Sequence, residues 1–111
     1  MVSDKDKIDI IAHEAKTDTI RLVMVEDRQW GDKGTLLPQL QDKFNTYFGY
    51  IVDGQFKQQY PKYVGKPILI ELQTQFAPTE REQEFLDIVV RQFLQPRGIL
   101  FNWRLLQAGQ R

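Results

Sequence analysis

Apolar and polar positions alternate from Ile8 to Glu14, with Ile8, Ile10 and Ala12 on one side and Asp9, Ile11 and His13 on the other. That period of two predicts a strand. The pattern returns in Ile20, Leu22 and Met24 against Arg21, Val23 and Val25, after the polar stretch Ala15-Lys16-Thr17-Asp18, which is short enough to close an antiparallel hairpin. Residues Glu26 to Gly34 have no periodicity and read as a loop carrying Trp30. From Leu36 the spacing becomes three and four, through Leu40, Phe44, Tyr47, Phe48, Ile51 and Val52. This predicts a helix capped by Thr35 and stopped at Gly54, with Gly49 marking a close approach of backbones.

Gln55 to Gly65 is polar and tyrosine-rich, broken at Tyr60-Pro61, and reads as an ordered connection without a regular element. Pro67 to Phe76 alternates again: Ile68, Ile70, Leu72 and Phe76 face one way, Leu69, Glu71, Gln73 and Gln75 the other. Thr79-Glu80-Arg81-Glu82 is a capping box opening a second helix through Phe85, Leu86, Ile88, Val89, Val90, Phe93 and Leu94, which Pro96 and Gly98 break. Ile99, Phe101, Trp103 and Leu105 then alternate with Leu100, Asn102 and Arg104. The order β-β-α-β-α-β predicts an α+β fold in which a four-stranded mixed sheet carries two helices on one face, its last two strands joined by a parallel crossover.

The chain has 111 residues, of which 41% are hydrophobic, so one domain spanning 1–111 is expected, with residues 1–7 and 107–111 fraying. Fifteen basic and fifteen acidic residues cancel, which removes the electrostatic argument for nucleic acid or an anionic membrane surface as partner. The absence of cysteine excludes disulfides, thiolate metal sites and thiol nucleophiles. Met1 to Lys7 is charged and no apolar run nears the ~20 residues of a membrane helix, so a cytoplasmic location is expected.

Chemistry-bearing residues are spread out. One histidine cannot make a transition-metal site, and Asp4, Asp6 and Asp9 lack the glycine turn and distal glutamate of a calcium loop, so neither a metal nor another cofactor is expected. Ser3, the only serine, lies in no nucleophile elbow, and the carboxylates Glu80 and Glu84 alternate with arginines as on an ordinary helix surface. No catalytic residue is assigned. His13 is expected on the face away from the helices, beside Arg21 and near Glu71 or Arg104, and is more simply a solvated side chain than a general base.

The sequence resembles a family of small, functionally uncharacterised bacterial proteins. The residues carrying the likeness are Ile8-Asp9-Ile10-Ile11-Ala12-His13, Lys16-Thr17, the Trp30 loop, Gln39-Leu40-Gln41-Asp42-Lys43-Phe44-Asn45-Thr46-Tyr47, Asp53-Gly54-Gln55, Tyr60-Pro61 and Gly65-Lys66-Pro67. Asp18 stands where that family commonly has glycine. The resemblance implies a bacterial, cytosolic, standalone domain and supplies no activity.

Two functions are consistent with these residues. One is a non-catalytic protein-interaction or binding module, with Trp30, Tyr60 and Tyr63 as loop aromatics that either anchor a partner or cover the core. The alternative is a small-molecule-binding domain or enzyme using the open sheet face around His13, Arg21, Glu71, Asn102 and Arg104. A homodimer is expected in addition, through the uncovered face or an edge strand, because Ile11, Val23, Val25, Leu69 and Leu100 would leave that face apolar.

Overall fold

The structure, a computed structural model, describes Val2 and residues 7–30 and 36–106. Thr35 as a helix cap, the part of the expected loop at 31–34, and the fraying expected at 107–111 all lie outside these residues. The elements are β1 (Ile10–Glu14), β2 (Thr19–Glu26), α1 (Leu36–Val52), α2 (Gln55–Gln59), β3 (Ile68–Thr74), α3 (Glu80–Val89) and β4 (Leu100–Leu105). They form an α+β domain whose single sheet has the order β1-β2-β3-β4. β1 is antiparallel to β2, while β2, β3 and β4 run parallel, so the sheet is mixed and both α1 and α3 are crossovers.

Ile20, Leu22, Met24, Ile70 and Leu72 all lie on one face of the sheet and are fully buried. Leu36, Leu40, Phe44 and Tyr47 of α1 and Leu86 and Val89 of α3 complete that core. The Phe44 ring lies 5.7 Å from Phe101 on β4 and 6.3 Å from Phe85 on α3, which seats both helices over the same face. The capping box at Thr79 is formed, the Thr79 amide donating to Glu82 Oε1 at 3.0 Å. Asp18 closes the β1–β2 hairpin at φ 53, the left-handed region that asparagine and aspartate tolerate best after glycine. No helix among the described residues is long and apolar enough to cross a membrane.

Several expectations require correction. β1 is turned over: Ile11 pairs with Leu22 and His13 with Ile20, on the helix-covered face, whereas Ile10 and Ala12 join Val23 and Arg21 on the open one. Both faces of this edge strand carry apolar side chains, so alternation by itself does not say which is inner. The connection after Gly54 holds regular structure, namely α2 and a 3₁₀ turn at Pro61–Tyr63, because Phe56 plugs the core. β3 ends at Thr74 and Phe76 is exposed. Val52 and Ile88 also face outward. At Gly49 an added Cβ would meet nothing closer than Asp53 Oδ2 at 3.6 Å, so no backbones crowd there. Val2 is fully buried and its amide donates to Val25 O at 3.0 Å, so the chain is packed at this point of the segment expected to fray.

Candidate functional site

The sheet register sets three rows of side chains on the open face: Ala12, Arg21, Leu69 and Leu100; Ile10, Val23, Glu71 and Asn102; then Val25, Gln73 and Arg104. Glu71 sits at the centre, on an inner strand. Arg21 and Arg104 stand on diagonals to it from the two flanking strands, a spacing that long side chains bridge. Glu71 Oε1 accepts from Gln73 Nε2 at 2.7 Å, from Arg104 Nε at 3.0 Å and from Arg21 Nη2. Arg21 also reaches to 3.9 Å from Glu14 Oε2.

Although no helix among the described residues covers this face, Glu71 is only 3% exposed, with the Arg21 and Arg104 side chains reaching it from either side. Burial by itself would raise its pKa, but the hydrogen bonds from Gln73, Arg104 and Arg21 outweigh that effect and hold the carboxyl below its usual range. The cluster therefore stays charged. Two arginines and two glutamates balance, and every ion pair is made within the face.

Four of the residues singled out from the sequence, Arg21, Glu71, Asn102 and Arg104, are thus brought together. His13 is not among them. It lies on the opposite face, where Nε2 is 2.7 Å from Asp18 Oδ1 and the ring is 5.4 Å from that of Tyr63. Tyr63 stacks on Tyr60 at 5.6 Å and 14°, and both rings pack on the core beside Phe56. Lys66 Nζ donates to both Asp18 oxygens, at 2.8 and 2.7 Å, and its bond, with that of His13 second, lowers the Asp18 pKa. This cluster ties the hairpin turn to the Tyr60–Lys66 segment. Trp30 stands apart, half-buried against the core, its indole N–H donating to Phe76 O at 2.8 Å. The three loop aromatics therefore have the contacts of core covers.

A buried polar group went unseen in the sequence. Lys43 on α1 is fully buried, and its Nζ donates to Asp9 Oδ1 at 2.7 Å and to Lys7 O at 2.6 Å. Asp9 Oδ2 accepts the Val25 amide at 3.1 Å, and Tyr47 OH accepts from Asp9 N at 2.9 Å while donating to Val23 O at 2.6 Å. Burial pushes the Tyr47 phenol far above its ordinary pKa. These groups serve β2 beyond Ile10, where the β1 ladder ends, so the network fastens β1 and α1 to the sheet. Its signal was position: Lys43 falls between Leu40 and Tyr47 on the inward stripe of α1.

Among the described residues, no three His, Asp or Glu side chains gather as metal ligands. No curated protein and no solved structure matches the chain. A model described as a family of unknown function, DUF6572, matches residues 1–107, and since that is nearly its whole length, the chain belongs to this family.

Proposed function

We propose that the domain is a non-catalytic, cytoplasmic interaction module whose working surface is the open sheet face, and that its partner there is a second copy of itself. The observation that carries this reading is the make-up of the face. Ile10 and Leu100 are 48% and 55% exposed, and they flank a cluster whose charges are already paired with one another. A surface with exposed apolar residues around a cluster of no net charge meets a copy of itself without net repulsion, as a two-fold interface requires. Arginines already hydrogen-bonded to a buried carboxylate need less reorganisation on contact, which lowers the entropy cost of association. The aromatic residues Trp30, Tyr60 and Tyr63 serve the core in this account.

Amide NMR spectra recorded from about 10 µM to about 1 mM test it, since mass action shifts a dimer equilibrium over such a range. The amides of Arg21, Val23, Leu69 and Leu100 should move with concentration while those of α3 stay in place. Shifts that do not depend on concentration, in protein that sediments as a monomer, would remove the reading.

A further inference from the structure

The helical layer, on the opposite side from the sheet face, contains a cleft between α1 and α3. It has a volume of about 310 Å³, walls formed by Phe48, Phe85, Ile88 and Phe93, and a rim formed by Gln41 and Asn45. How Phe93 comes to be there is informative. Leu86 and Val89 are the inward positions of α3, and an α-helix continuing from them would next turn residue 93 inward. Instead Val90–Leu94 forms a π turn, whose hydrogen bonds join residues five apart and so take in one extra residue. Leu94 becomes the buried position at 1% exposure, and Phe93 is left 51% exposed. Its ring meets the Phe48 ring edge to face, 6.2 Å away, so it is held rather than loose. Such turns are rare in helices and recur at functional sites.

We infer that this cleft is a binding site for a small, uncharged, ring-containing apolar molecule. In a chain of which 27% is charged, no charged side chain among the described residues lines it, and the Arg97 guanidinium beside it packs over the Phe48 ring at 5.5 Å, so an uncharged ligand suits it better than a charged one. The aromatic walls offer edge and face contacts to a ring, and the carboxamides of Gln41 and Asn45 can take one polar substituent. The volume lies at the small end of ligand pockets, ~300–1,000 Å³.

Fluorescence titration with N-phenyl-1-naphthylamine, an uncharged aromatic amine of three rings, tests the inference on the full chain. Saturable binding at one site is expected, weakened about tenfold or more by Phe93→Ala and by Ile88→Arg, both at exposed positions that leave the core intact. Val64→Ser, at an exposed apolar residue elsewhere, should bind as the parent does. Absence of saturation, or equal binding by all variants, would overturn the inference. So would a change of sedimenting mass in Phe93→Ala without probe binding, since the cleft's occupant would then be another copy of the chain.

Discussion

Glu71 is a buried carboxylate on an uncovered face, and only the donors converging on it make that position tolerable. Because its folded pKa lies below its ordinary value of 4.5, it contributes stability that is fully present above that value and lost as pH falls through the lowered one. Melting temperature measured from about pH 7 to about pH 3 should therefore fall less steeply in Glu71→Gln than in the parent. At neutral pH the variant should be less stable by about 1–3 kcal/mol, the scale of hydrogen bonds to a charged group. A parallel acid limb would show that Glu71 is not the group being protonated. Lys43→Ala should cost more, about 3–5 kcal/mol in a urea melt, because it removes a fully buried ammonium that is ion-paired with Asp9 and donates to Lys7 O. That the two residues differ in legibility is instructive. Glu71, Arg21, Asn102 and Arg104 share a face because side chains alternate strictly along β2, β3 and β4, whereas Lys43 carries a charge and so reads as surface even on an apolar stripe.

The elements themselves were largely readable, and the misses have physical causes. Inner strands β2 and β3 each set aliphatic residues, Ile20, Leu22 and Met24 or Ile68, Ile70 and Leu72, against a face that carries Arg21 or Glu71, so their orientation followed from the pattern. Edge strand β1 does not, and there the pairing of Ile11 with Leu22 and the reach of Asp9 to Lys43 decide the side, which removes His13 from the open face. Helix α2 is five residues long, too short to show a period, and rests on a single buried ring, Phe56. The π turn after α3 is invisible because Phe93 and Leu94 are both apolar and either could face inward. Gly49 yields a direct test of α1. With no backbone crowding it, Gly49→Ala should stabilise the domain by about 0.5–1 kcal/mol through helix propensity, read as a higher urea midpoint. A lower midpoint would mean that the alanine methyl displaces Asp53 at a cost.

For the whole molecule, placing both helices on one side of a four-stranded sheet creates two unlike surfaces. The helical side carries an uncharged aromatic cleft, and the sheet side carries an internally neutral ion cluster between exposed Ile10 and Leu100. Strand order and the side chosen by β1 set what the open face displays, and neither could be taken from local pattern, since both depend on long-range pairing. The central claim is that this face pairs with a second copy. Sedimentation equilibrium at about 100 µM, with Leu100→Lys run beside the parent, tests it most directly, because Leu100 is exposed and its replacement leaves the fold intact while placing like charges across the two-fold axis. The account predicts twice the chain mass of 13.1 kDa for the parent and the single-chain mass for the variant. A parent of single-chain mass, or a variant that remains a dimer, would contradict it.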